Sequence, residues 1–459
     1  MPHVHRKLGL EAEPIKVTLA NKPLSILQML RTGRRNLVAT IPKAAVTDGV
    51  IAGHMGYPYY MITDPKAIAH VLSDNVENYV KPPFTRKLLS PALGNALLLA
   101  EGKHWHWQRR AAAPIFNPRN VAALGPLMSA VAENTAARIA EKQEDDAVNL
   151  YQHMVGATCD IITQVTLSAP EHFDPQEIHA SIERYIATAG KLTFADLLGL
   201  PSWLSGLSAM AGYRALKKLR KNTALAITSR RAQGPQDVPD LLDHLIAAQD
   251  PKTGERMDDQ LVMENALTFI VAGHETTALA LTWALYLCAF DPEVQDKARR
   301  EVRAHLGLRT ARMDDIMHLP YIRMILDETL RLYPPASIIS REAVGPDTLV
   351  GHPVEKGRNI VIPIYALHRH ERLWDAPNAF RPERFAKPKE IPRYQYIPFG
   401  DGPRICIGMN FSFQEAVIIL ATLLARFEFD LIDGATPRPE MILTLRPHNG
   451  LWLKVRPAR

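Results

Sequence analysis

The chain has 459 residues, 47% of them hydrophobic and 22% charged, which provides for a large core and excludes a disordered protein. Its net charge of +6 is dispersed, with no basic tail or block. That argues against nucleic-acid binding and leaves solubility, or an acidic protein partner, as the use of the excess. Three cysteines, Cys159, Cys288 and Cys406, are too few and too far apart for a disulfide framework and fit a reducing cytoplasm.

The N-terminal stretch MPHVHRKLGLEAEPIKV carries charges where a signal peptide needs an apolar run, so neither export nor an N-terminal anchor is expected. YYMIT (59–63) has strand character, and DPKAIAHVLSD (64–74) follows as a capped helix. KPPF (81–84) breaks the pattern. From about 103 to 290 the helical period dominates, punctuated by NPRN, GLPSW, GPQDVPD and DPKTGE. The longest helix is expected from the Asp258-Asp259 pair, which can cap it, to Phe290 before Asp291-Pro292. At 1.5 Å per residue it spans on the order of 45–50 Å. Its apolar run, Ala278 to Phe290, falls short of the roughly 20 residues of a membrane span and reads as buried.

Another helix starts after Pro320 and stops by Pro334-Pro335. Beyond it, short apolar segments such as NIVIPIYAL (359–367) and ILTLRP (442–447) alternate with Pro and Gly. The expected fold is mainly α with small β-sheets. A chain this long often divides, but no linker marks a boundary. One domain over 1–459 is expected, with a β-containing part to about 100, a helical core from 101 to 335, and a C-terminal region from 336.

Within that last region stands Phe399-Gly400-Asp401-Gly402-Pro403-Arg404-Ile405-Cys406-Ile407-Gly408. Ile405 occupies the place where a dinucleotide fingerprint needs its third glycine, and no βαβ unit surrounds it. No second cysteine or spaced histidine pair offers a zinc site. What remains is one thiolate in a backbone-rich loop. Glycines let the main chain approach a bulky planar group, and N–H groups aimed at sulfur stabilise its charge. The helix expected from Ile407 adds its dipole, and Arg404 adds a cation. Such a thiolate serves as a nucleophile or as a metal ligand.

Three further patterns precede the loop. In Ala272-Gly273-His274-Glu275-Thr276-Thr277 a carboxylate sits in an otherwise apolar helix, which is costly unless something uses it. The threonines there can divert helix hydrogen bonds and open the helix locally. Glu328-Thr329-Leu330-Arg331 puts an acid and a base at i, i+3, alone no more than a solvated surface pair. It precedes Pro382-Glu383-Arg384-Phe385. Trp105 and Arg109 stand at i, i+4 on one helix.

In this order the motifs resemble those of the cytochrome P-450 family, whose haem signature FGxGxRxCxG the loop matches without a gap. The resemblance covers nearly the whole chain and is weakest at 80–100 and 170–235. It implies a haem-thiolate monooxygenase of the bacterial soluble type, with haem b (iron protoporphyrin IX) ligated by Cys406. It further implies that Trp105, Arg109, Arg341 and Arg404 hold the haem propionates, with Ala272, Phe399, Gly400 and Gly408 also against the haem. Glu275 relays protons and the Thr276 hydroxyl steadies the dioxygen. Glu328, Arg331 and Arg384 form a buried structural triad.

The implied reaction inserts one atom of dioxygen into a substrate C–H bond and releases the other as water. The chain ends soon after the loop, so electrons from NAD(P)H are expected through separate partners, a ferredoxin or flavodoxin and its reductase, with a monomeric enzyme in the cytoplasm. Arg109 and Arg110 are candidate docking contacts. By resemblance Phe84, Leu97, Leu98, Phe194, Ile338 and Leu443, with Ala272, shape the pocket, and their apolar character favours a lipophilic substrate. A peroxide-driven peroxygenase and a haem-thiolate isomerase would keep Cys406 but need no acid–alcohol pair. A non-enzymatic haem sensor or carrier would need an effector module.

Overall fold

The computed structural model describes residues 13–458 apart from 23, 55–56, 142–146, 168–179 and 182–205. The N-terminal third builds a mixed sheet from β1 (Val50–His54), β2 (Pro58–Ile62) and β3 (Tyr79–Val80), joined from far along the chain by β5 (Ile339–Ala343) and β8 (Asn359–Ile362) in the order β1-β2-β8-β5-β3. β1 and β2 pair antiparallel with Val50 opposite Ile62. β2 runs parallel to β8, and β5 lies antiparallel to both β8 and β3. The expected strand and capped helix are found at β2 and at Pro65–Ala69, where the Asp64 side chain accepts from the amides of Lys66 and Ala67.

KPPF does more than break a pattern. Pro83 occupies the first turn of α1 (Pro83–Leu93), a position where its missing N–H costs nothing and its fixed φ suits a helix start. α2 (Gly102–Ala112), α3 (Gly125–Ala140), α4 (Leu150–Leu167) and α5 (Gly206–Gln233) follow.

The central element is α6 (Asp259–Phe290), capped by the Asp258 side chain accepting from Leu261 N at 2.8 Å. It ends where expected. Asp291 both stops α6 and caps α7 (Pro292–Leu306), accepting from Glu293 N and Val294 N. From Ala278 to Ala289 every residue of α6 is buried, as a helix apolar all round must be. α4 packs along it, with an ideal Cβ on Gly273 only 3.1 Å from Ile162 Cδ1. α8 (Pro320–Leu332) stops before the proline pair.

The Cys406 loop then leads into α9 (Met409–Arg426), buried along most of its length. β4 (Ala147–Asn149), β9 (Phe427–Leu431) and β12 (Trp452–Pro457) form a second sheet in the order β4-β12-β9, and two hairpins, β6–β7 (Asp347–Leu349, His352–Val354) and β10–β11 (Arg438–Met441, Leu445–His448), complete the described strands. Residues of α6, α9, β5 and β8 line one cavity with the Cys406 loop.

Candidate functional site

The cysteine loop owes its shape to two glycines. Gly400 and Gly402 both take φ +71°, a left-handed backbone that strains any side chain. A Cβ on Gly402 would also lie 1.9 Å from the Leu72 carbonyl oxygen. Cys406 N donates to Phe399 O at 3.0 Å and closes the turn. The Cys406 side chain is exposed and lines the cavity described below, yet protein atoms crowd around its sulfur. Burial therefore pushes its thiol up, against the downward pull of the Gly408 N–H and the Arg109 guanidinium.

Arg404, expected to be the cation beside the sulfur, turns elsewhere. Its guanidinium lies 4.3 Å from the Trp105 ring centroid, donates to Ala100 O at 3.1 Å and pairs with Glu101. The side chain must leave the tight loop on the side of α2, so Arg109, rather than Arg404, acts on Cys406.

A cavity of about 1090 Å³ opens above this loop. Trp105, Arg109, Ala272, Thr276, Arg341, Phe399, Gly400, Arg404, Cys406 and Gly408 all line it. Phe84, Leu97, Leu98, Ile338 and Leu443 line it too. Phe194 lies outside the described residues. Ligand pockets usually run to about 300–1,000 Å³, so this one has room for a macrocycle and a second molecule.

Three cations meet at one edge of the cavity. Burial is the main cause holding the Lys81 amine down to about 7, helped by the Arg404 charge and opposed by Glu101 3.6 Å away. Burial likewise lowers Arg341 to about 10, again with Arg404 as the neighbouring charge. Arg341 donates to Ser340 O at 2.9 Å, but its Nε is buried with no hydrogen-bond partner. Glu101 thus faces Lys81, Arg341 and Arg404 and leaves two positive charges over, which is the complement of a dianion. An apolar slot, one thiol and an edge requiring two carboxylates together fit haem b with its two propionates.

Thr276 lines the cavity, but its hydroxyl donates back to Ala272 O at 2.7 Å and α6 stays helical throughout. The expected local opening does not occur, because the hydroxyl shares the carbonyl without displacing the helix bond. Glu275 is buried and does not line the cavity. Neighbouring helix residues point about 100° apart, so it faces the Tyr151 hydroxyl at 3.5 Å and Arg446 at 3.8 Å.

Glu328 and Arg331 are no surface pair, for both side chains are 0% exposed. Arg331 donates to Glu328 Oε2 at 2.6 Å and Oε1 at 2.8 Å, and to the carbonyls of His368, Pro377 and Ala379. All five guanidinium donors are thereby used. Arg384 reaches Glu328 Oε1 at 3.3 Å.

The sequence model of the Cytochrome P450 family matches residues 50–455. The chain belongs to the cytochrome P450 family. It is accordingly a haem-dependent monooxygenase. It is 34% identical over 413 residues to a Mycobacterium tuberculosis protein bearing the name cytochrome P450 132, covering 86% of this chain and 87% of that protein. Human cytochrome P450 4F2 is 32% identical over 453 residues, covering 92% and 84%. A cytokinin hydroxylase of Arabidopsis thaliana is 34% identical over 385 residues, covering 80% and 73%.

Sequence reasoning missed Lys81 and Glu101. Val80 pairs with Glu342 across β3 and β5, so the next position along places Lys81 beside Arg341, a juxtaposition no local motif encodes. Of the two candidate docking contacts, one faces inward and the other keeps a partly exposed side chain in an ion pair. Arg109 lines the cavity, and Arg110 is held bidentately at 2.7 and 2.6 Å by Asp250, whose side chain is 0% exposed. Among the described residues no helix is long and apolar enough to cross a membrane.

Proposed function

We propose that this P450 hydroxylates a C–H bond of a lipophilic small molecule, with electrons from NAD(P)H brought by a separate ferredoxin or flavodoxin and its reductase. The observation that carries the reading is a single cavity in which Cys406, Thr276 and an apolar wall meet. Cys406 would hold the haem iron, while Trp105, Arg109, Arg341, Arg404 and Lys81 hold the propionates. Bound there, the haem supplies the activation of dioxygen, its thiolate ligand favouring O–O cleavage.

The protein's residues do the rest. Gly408 N–H and Arg109 favour the anionic sulfur. The Thr276 hydroxyl, already tied to Ala272 O, can hold a water at the cavity wall. Glu275, behind it, relays protons beside the Tyr151 hydroxyl, with the Arg446 charge 3.8 Å away favouring its carboxylate form. Phe84, Leu97, Leu98, Ile338 and Leu443 exclude water and orient an apolar substrate. The relative named a hydroxylase supports hydroxylation. The family's use of redox partners and the net charge of +6 support an acidic electron donor.

Fatty acids, terpenoids, steroids and aromatic hydrocarbons should be titrated against the ferric protein, following the Soret shift as water leaves the iron. A ligand that shifts the band and gains one hydroxyl with reductant and oxygen, but not with peroxide alone, supports the reading. Turnover by peroxide alone at an equal rate contradicts it.

A further inference from the structure

Glu415 lies on α9 and is 1% exposed, and neither carboxyl oxygen has a hydrogen-bond partner of good geometry. Buried polar groups are overwhelmingly paired, and one that is not calls for a functional reason or an internal water. Burial holds the pKa of this carboxyl well above the usual range, which favours its neutral form. The polar side chain that tempers the rise is Thr277. Its hydroxyl lies 3.0 Å from Ser412 Oγ. Thr277 and Ser412 both line the cavity, and Ser412 and Glu415 share one face of α9 at i, i+3. The carboxyl therefore lies behind a bonded hydroxyl pair that itself opens on the cavity, across the α6–α9 contact. Glu275, by contrast, does not line the cavity and faces Tyr151 and Arg446.

We propose that Glu415 is a proton donor to the cavity, acting through the Thr277–Ser412 hydroxyl pair. The proposal rests on the monooxygenase reading, in which inserting one oxygen atom consumes two electrons and two protons and releases water. The carboxyl gives its proton to Thr277 Oγ1, which passes its own to Ser412 or to a water in the cavity. Each hydroxyl gains one proton and loses one. Between turnovers the carboxylate left on Glu415 regains its proton from cavity water through the same hydroxyl pair, a return that its apolar surroundings favour because they disfavour the charge. Glu415 touches neither substrate nor cofactor and works through Thr277. A purely space-filling acid would be replaced without loss by glutamine, which has the same shape and cannot release a proton.

The test compares wild type with Glu415→Gln, Glu415→Asp and Thr277→Val as holoproteins. Infrared difference spectra should show a protonated carboxyl band that disappears in Glu415→Gln, shifts in D2O and moves in Thr277→Val. Product formed per NAD(P)H should fall roughly tenfold in Glu415→Gln and recover in part in Glu415→Asp. Thr277→Val should fall similarly, and the Glu415→Gln/Thr277→Val double variant no further. Absence of the carboxyl band, or wild-type coupling in Glu415→Gln, overturns the proposal. If Glu415→Gln does not fold, the infrared shift in Thr277→Val and the coupling of Glu415→Asp decide. The reduced carbon monoxide spectrum of wild type separates the two levels: without a thiolate-haem band the monooxygenase reading fails, and with it present only the role of Glu415 is at stake.

Discussion

Two of the arginine–carboxylate clusters among the described residues, one around Glu328 and one around Glu101, are finished to different degrees. Around Glu328, the five donors of Arg331 all have protein acceptors, Arg381 N adds a bond at 2.9 Å and Arg384 a contact at 3.3 Å. Around Glu101, three cations share one carboxylate, burial lowers the pKa of all three, and Arg341 Nε has no partner. The first cluster is complete within the chain and fixes structure. The second is complete only when something anionic joins it, which marks it as a binding site.

The sharpest way to break this contrast is Arg331→Ala, which leaves Glu328 buried with only the longer Arg384 contact and the Arg381 N–H against its charge. It should cost about 3–5 kcal/mol of folding stability in urea titrations. A loss below about 1 kcal/mol would show that the closed cluster does not fix the fold.

Acid should attack the same region next. His368 lies against Arg331, and burial first, then the Arg331 and Arg369 charges, lower its pKa from 6.5 to about 3. A depressed folded-state pKa means stability present above pH 6.5 and lost as pH falls toward 3. The slope should approach about 1.4 kcal/mol per pH unit in that window and flatten in His368→Gln. An unchanged slope in the variant would assign the loss to other groups.

The open cluster should respond in the opposite sense. Arg341→Ala should accelerate haem loss to a scavenging globin on the order of 10–100-fold, one charged hydrogen-bonded contact being worth about 1.5–3 kcal/mol, while urea stability of the haem-free chain changes by less than about 1 kcal/mol. Equal damage to both would erase the distinction between the clusters. Lys81→Met should speed haem loss less, about tenfold or under, because an amine held down to about 7 is charged only in part at neutral pH and offers no bidentate fork.

The elements legible in the sequence were those whose signals are local. The Asp258 cap, the Asp291-Pro292 stop and the glycines of the cysteine loop each act within a few residues, and the loop's ten-residue pattern also carried the family. Lys81 and Glu101 were not legible, because β3 meets β5 across most of the chain and only that pairing brings Lys81 to Arg341. The direction of Arg404 depends on where Trp105 and Glu101 stand in space. Glu275 was not legible either: of the two neighbours of Thr276 on α6, Thr277 lines the cavity with it and Glu275 does not, and only the packing of α6 against its neighbours decides which. Of the expected pocket residues, Phe84, Leu97, Leu98, Ile338 and Leu443 meet at the cavity because α1, its following loop, β5 and the β10–β11 hairpin converge there.

The claim on which the functional reading depends is that Cys406 ligates the haem iron as a thiolate. Carbon monoxide added to the reduced holoprotein should give the long-wavelength Soret band typical of thiolate-ligated haem, and Cys406→Ser should abolish it while the cationic edge still retains haem. A wild-type spectrum typical of histidine-ligated haem, or one unchanged in Cys406→Ser, would contradict it.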